Sequence, residues 1–194
     1  MGAPDFANLP HIGAAIRRKE DYRFLTGAGN YTDDIVQTNQ AFAVFVRSPH
    51  AHANVKSIDL AKAKAMPGVV EIFTGKDIDG KMGGLPCGWL ITSTDGSPMK
   101  EPPHPILAIG KVRYVGDQVA MVIADTLEEA KNAVEAVEVD YDVLTAIVDV
   151  RDAPKGAALH EASPDNHCYK WAIGDKGNVD AAFVTAAHIP SWIW

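Results

Sequence analysis

Apolar positions recur along this chain with two periods, and the switches between them mark out its elements. Ala41 to Arg47, AFAVFVR, is apolar on both alternating faces: Phe42, Val44 and Val46 point one way, Ala41, Ala43 and Phe45 the other. A strand with two apolar faces is expected in the interior of a sheet covered on both sides. After Ser48-Pro49 the chain turns, and Asn54 to Ile58 reads as a second, short strand. Asp59 can cap a short Ala/Lys helix, because its carboxylate accepts free N–H groups of the first turn. Leu60, Ala63 and Met66 line one face of that helix, Pro67-Gly68 ends it, and Val69 to Phe73 follows as a strand.

The second half repeats the theme. Gln118 to Ala124, QVAMVIA, is again apolar on both faces, and Thr126 and Glu129 form a capping box. Leu127, Ala130, Val134 and Val137 then recur at helical spacing, so one helical face is expected to be buried. The period drops to two where Val137, Val139, Tyr141 and Val143 alternate with Glu138, Asp140 and Asp142, a strand with one wet face. Two strand–helix–strand units with extra strands predict a mixed α/β domain built on a mixed sheet, over residues 17–148. Residues 1–16, with Pro4 and Pro10, read as an extended lead-in. Residues 149–194 read as a linker, with a helical pattern from Val179 to Ala187 before the closing IPSWIW.

Between the halves, Gly80 to Pro105 is rich in Gly and Pro. A stretch of this length without a period implies a binding loop or a docking surface. Trp89 and Leu90 within it have two readings: they pack against another surface, or they fold back on the domain's own sheet.

Composition narrows the function classes. With 47% hydrophobic and 22% charged residues the chain is of ordinary globular make-up. A formal charge of −7 argues against a nucleic-acid partner, which needs clustered Lys and Arg. Cys87 and Cys168, far apart and without CxxC spacing, suit a reducing cytoplasm, although one disulfide is compatible with them. No apolar run approaches the roughly 20 residues of a membrane span, and no secretory signal opens the chain. A cytoplasmic protein is expected.

Candidate chemistry is sparse. Asp33-Asp34 reads as turn formation and capping, since adjacent side chains rarely share an ion. His50 and His52, in SPHAHA, would face one side of an extended strand as half of a zinc site, but no supporting ligand has the right spacing. Bonding to backbone in a bend after Pro49 is the plainer reading. Gly27-Ala28-Gly29 fails as a dinucleotide loop, because Thr32 stands at the third glycine position and no strand precedes it. Cys87, in LPCGW, has no neighbouring cation to lower its pKa. Glu101 with His104, and His160 with Glu161, are acid–base couples of a kind that chance supplies. No catalytic, cofactor-binding or metal-ligating residue is assigned.

Several motifs occur in an order that carries a resemblance. RRKEDYRFLTGAGNYTDDI, FAVFVRSPHAHANVKSID, AMPGVVEIFTGKDI and VRYVGDQVAMVIADTLEEAKNAVEAVEVDYDVL follow one another, and LHEASPDN and GDKGNVDAAFVTAAH come after them. Together they resemble the N-terminal α/β hammerhead domain of the aldehyde oxidase, xanthine dehydrogenase and carbon monoxide dehydrogenase large subunits, the molybdenum hydroxylases. SPHAHA followed by PGV is more similar to the carbon monoxide dehydrogenase branch than to the eukaryotic oxidases. The resemblance implies a structural domain of an oxidoreductase, packed against the rest of the molybdenum-binding subunit, with residues 149–194 as a linker and the truncated start of the molybdenum-binding region. It also implies molybdopterin in the full-length subunit, with FAD and iron–sulfur clusters on partner chains or domains. The family's pterin-contacting loop and catalytic glutamate have no counterpart in these residues. The chain is therefore expected to bind no cofactor and to be inactive alone, as a truncated, frameshifted or cloned fragment. The alternative is a free-standing, non-catalytic interaction module with the same fold, which would use the Gly80–Pro105 loop and the apolar terminus as its surface.

Overall fold

A computed structural model describes residues 18–190, in two units that divide after Gln40. In the first unit Asp21–Leu25 forms a short helix, α1. It closes as the Gly27 and Ala28 N–H groups donate to the carbonyls of Phe24 and Arg23. The Phe24 ring stacks on Tyr31 at 5.4 Å. Asp34 accepts the Tyr31 N–H at 2.8 Å, closing a 3-10 turn over Thr32–Asp34. The glycine-rich and acidic stretch is thus made of turns. The 1–16 lead-in and the Trp192–Trp194 terminus lie outside the described residues.

The second unit begins with β1 (Phe42–Arg47), β2 (Ala53–Asp59), α2 (Ala61–Lys64), β3 (Val69–Thr74) and α3 (Gly75–Ile78). It continues with β4 (Lys111–Val112), β5 (Gln118–Ala124), α4 (Leu127–Glu135), β6 (Glu138–Val143) and α5 (Lys176–Thr185). Local chemistry sets most boundaries. Asp59 Oδ1 accepts the Ala61 N–H at 2.9 Å and so opens α2. Thr126 Oγ1 and Glu129 close the expected capping box on α4. Thr74 and Asp77 form a similar box on α3, a helix the apolar pattern does not predict.

The fold is mixed α/β, but its strands make two antiparallel three-stranded sheets, ordered β1-β5-β3 and β4-β2-β6, where one mixed sheet was expected. The reason is that each strand–helix–strand unit crosses from one sheet to the other. The unit β2-α2-β3 starts in the second sheet and ends in the first, and β5-α4-β6 does the reverse. The strands therefore pair reciprocally, β2 with β6 and β5 with β3, all antiparallel. The preceding strands follow the same exchange, β1 pairing with β5 and β4 with β2. Two β-β-α-β halves are thus interleaved, and neither sheet can form from one half alone.

Two apolar clusters result. Val46, Ala63, Ile72, Ala120, Val122 and Ala133 form one; Ala53, Ala108, Val112 and Val119 form the other. Strand β5 feeds both, since Ala120 and Val122 face one cluster and Val119 the other, which explains its two apolar faces. Strand β1 differs from expectation: it is an outer strand, with Ala41 and Ala43 exposed. Period reports which faces are apolar and says nothing of which backbone edge is paired. On α4 the buried side chains are Ala130 and Ala133, while Leu127 is exposed. Helical side chains lean toward the N-terminus, so a first-turn residue overhangs the end of the packed face. Along β6, Val139 and Tyr141 turn inward as the alternation requires, but Val143 at its end is exposed.

Strand β3 has an unpaired edge among the described residues, and acidic side chains cover its donors. Glu71 Oε1 accepts the Ile72 N–H at 2.9 Å and Asp77 Oδ2 accepts the Thr74 N–H at 2.7 Å. Such plugs suppress edge-to-edge pairing with another chain.

Candidate functional site

Polar chemistry gathers where the β1–β2 connection meets the β4–β5 connection. Ser48 and Gly116 sit in facing turns: the Ser48 N–H donates to Asp117 O, and the Gly116 N–H donates to Ser48 O, each at 2.8 Å. Arg47 Nη1 adds a bond to Gly116 O at 2.9 Å. Ser48 Oγ accepts the His50 N–H at 3.0 Å, which sharpens the bend after Pro49.

His50 and His52 do not share a side, because the chain bends at Ala51–His52 where an extended strand was needed. The His50 ring lies edge-on to Tyr141 at 5.0 Å. His52 is 6% exposed, and its Nδ1 lies 2.9 Å from Thr145 O. A carbonyl only accepts, so Nδ1 carries the proton and the buried Nε2 is left without a partner among the described residues. Burial pushes the Tyr141 phenol up, partly offset by a bond with the Ser48 hydroxyl.

Arg113 links this junction to the chain that follows the sheets. Its backbone N–H donates to Asp117 Oδ2 at 3.0 Å and its Nε to Leu159 O at 2.8 Å. Asn166 fixes the same segment: Oδ1 accepts the Leu159 N–H at 2.8 Å, and Nδ2 donates to Ala153 O and Ala157 O. Further along, Thr94 N–H reaches Lys170 O, Lys100 N–H reaches Cys168 O, and Lys100 Nζ pairs with Asp165 at 2.6 Å. Residues 153–170 are thereby sewn to the sheets and to the long loop. Burial lowers the His160 pKa, helped by the positive charge of Arg113 and by His104, His52 and Lys111. Burial also raises that of Tyr114, with the Asp117 carboxylate adding to it.

The other sequence candidates stay apart. Glu101 Oε1 accepts the Cys87 N–H at 3.0 Å, while the His104 ring packs edge-on to Tyr114 at 6.4 Å, so Glu101 and His104 form no couple. His160 is half-buried and Glu161 exposed. The Cys87 thiol donates to Trp89 O at 3.2 Å, and both cysteines are free. Trp89 is 78% exposed and Met82, Leu85 and Leu90 are exposed beside it, so the loop does not fold these side chains back onto the sheets. Sequence reading missed Arg113, Tyr114, Asp117 and Asn166. Only Asn166, in PDN with φ 54°, carried a local signal as a turn residue.

What the arrangement does chemically is hold backbone in place. Each polar group of the junction with an assigned role bonds a carbonyl, an N–H or a neighbouring side chain, and no nucleophile meets a base. Among the described residues no three His, Cys, Asp or Glu side chains converge to hold a metal ion. Backbone packs closely on Gly75 and Gly84, where a Cβ would meet the carbonyl of Ala108 at 2.3 Å and that of His104 at 2.4 Å. No helix among the described residues is long and apolar enough to cross a membrane.

Comparison with known proteins follows the same lines. The family model described as aldehyde oxidase and xanthine dehydrogenase, a/b hammerhead domain, matches residues 26–145. The carbon monoxide dehydrogenase large chain of Afipia carboxidovorans is 38% identical over 92% of this chain and 22% of its own length. The nicotine 6-hydroxylase large subunit of Paenarthrobacter nicotinovorans is 35% identical over 94% of this chain and 22% of its own. The solved Cu,Mo-CO dehydrogenase superposes with a TM-score of 0.67 at 36% identity, covering 91% of this chain and 23% of that one. The chain thus spans about a fifth of the length of these relatives.

Proposed function

Because the chain belongs to the aldehyde oxidase and xanthine dehydrogenase family, matching its a/b hammerhead domain, we propose that it is the N-terminal structural piece of a molybdenum hydroxylase large subunit. The whole enzyme would be a cytoplasmic oxidoreductase that hydroxylates a carbon centre of an aldehyde or N-heterocycle, or oxidises carbon monoxide. Higher identity to the carbon monoxide dehydrogenase large chain favours that branch. Molybdopterin in the rest of the subunit would supply the chemistry, and iron–sulfur and flavin partners would take the electrons. This chain's part is to brace. Residues 17–148 form the hammerhead, and 149–194 lead toward the metal-binding region.

The observation that carries this reading is the apolar surface left bare on an otherwise well-paired domain. Met82, Leu85, Trp89 and Leu90 project from the loop, and Val179, Phe183 and Val184 project from α5, all exposed. Large exposed apolar side chains of this kind mark a surface that another body covers. The experiment is to mix the chain with the remainder of a related large subunit expressed without its own hammerhead. Co-elution on size exclusion is expected, and Trp89→Ser should weaken it. Separate elution at every concentration would defeat the proposal.

A further inference from the structure

Beside the Ser48–Gly116 junction lies a pocket of about 310 Å³ to which the brace role gives no use. Its walls are Pro102, Pro103 and Pro105 from the long loop and Tyr114 from the β4–β5 turn. These are flat, apolar surfaces. Its polar groups are Arg113, His104, His160 and Asp117. Arg113 is held by its backbone N–H and by Nε, both bonded within the chain. Its two terminal nitrogens donate to no partner among the described residues, and neither do the ring nitrogens of His104 or His160. Asp117 is already engaged by the Arg113 N–H and by Tyr114. Arg113 offsets Asp117 and Lys111 stands nearby, so the charge balance leans positive, and His160 adds to it as it protonates. The lowered pKa of His160 reflects that crowding of cations after burial.

We propose that this pocket binds a small carboxylate carried on a flat apolar body, an aromatic monocarboxylic acid. A guanidinium fixed through Nε presents its remaining N–H groups in the fork that a carboxylate matches bidentately. The proline and tyrosine walls take the ring, and a volume near the lower limit for ligand pockets restricts the guest to a small one. His160 strengthens the site as it protonates, so binding tightens as pH falls through its range. Tyr114, its pKa raised by burial, stays neutral there and does not reverse the trend. This inference stands apart from the oxidoreductase reading.

The test is a titration of the full chain with sodium benzoate, following histidine ring signals by NMR above and below the ordinary histidine pKa of about 6.5. Saturable shifts of His104 and His160 are expected, with tighter binding at the lower pH. Arg113→Gln should weaken binding by about tenfold, the loss of a charge-assisted pair. His104→Ala, which breaks no hydrogen bond of the fold, should weaken it as well and decides the matter if Arg113→Gln fails to fold. Inorganic phosphate binding as tightly as benzoate would overturn the apolar half of the assignment. Benzyl alcohol binding as tightly would overturn the anionic half. Absence of any saturable shift would overturn the whole.

Discussion

Thr126 shows how much one side chain decides here. Its hydroxyl accepts the Glu129 N–H at 3.2 Å and donates to Glu129 Oε2 at 2.7 Å, while Glu129 also accepts the Thr126 N–H at 3.1 Å. Replacing it with Ala leaves first-turn donors bare, so Thr126→Ala should cost about 1 kcal/mol in urea unfolding. An unchanged midpoint would mean that the box is solvent-exchanged and idle. His160 makes a second residue-level prediction, with its sign fixed by linkage. Its folded pKa is lowered, first by burial and then by Arg113, so the folded state holds fewer protons than the unfolded one in the interval below the ordinary value. Above about pH 6.5 both states are neutral and the residue contributes no pH dependence. As pH falls from there toward the folded pKa, stability is lost. His160→Asn should flatten that limb of the stability profile, and an identical profile in the variant would refute the assignment.

At the scale of elements, the contact between Gly68 and α4 ties the two halves together. Gly68 has φ +73°, and a Cβ there would meet the Glu129 carboxylate at 2.2 Å. Gly68→Ala therefore strains the turn and displaces Glu129 from its box, at roughly 1–2 kcal/mol. The displacement runs through one carboxylate, so that share of the penalty should vanish when combined with Glu129→Ala, and simple additivity would argue against the coupling. Strand β3 makes a different prediction. Glu71→Val removes the acceptor that plugs the Ile72 N–H and should promote concentration-dependent self-association by light scattering. A variant as monodisperse as the parent would show that the edge needs no plug. The same elements mark what was legible in the sequence. Helix α4 with its cap, the alternation of β6, the two-faced β5 and the Asp59 cap depend on neighbours a few residues apart, and period reports them. The sorting of strands into two sheets depends on partners from the other half of the chain, which no local period encodes. Lys111–Val112 is too short to show a period at all. The Thr74–Asp77 box was readable, as Thr-Gly-Lys-Asp has capping spacing. The Arg113 bond to Leu159 was not, because 46 residues separate the pair.

For the whole molecule, interleaving has a consequence for folding and for role. Neither sheet closes until residues from both halves are in place, so the domain should unfold in a single step, with a loop-closure cost met before the reward. Far-UV circular dichroism, which follows the backbone, and the NMR ring signals of buried His52 should therefore give coincident urea transitions. What the second unit turns outward is a set of exposed apolar side chains and a polar junction bonded largely to its own backbone. Such a body can hold other parts in place, and among the described residues no three His, Cys, Asp or Glu side chains converge to hold a metal ion. The measurement that tests this most directly is molybdenum content together with dye-linked turnover of the purified chain, offered an aldehyde, an N-heterocycle or carbon monoxide. The account predicts no stoichiometric molybdenum and no turnover until the rest of a large subunit is supplied. Stoichiometric metal with turnover by the chain alone would contradict it.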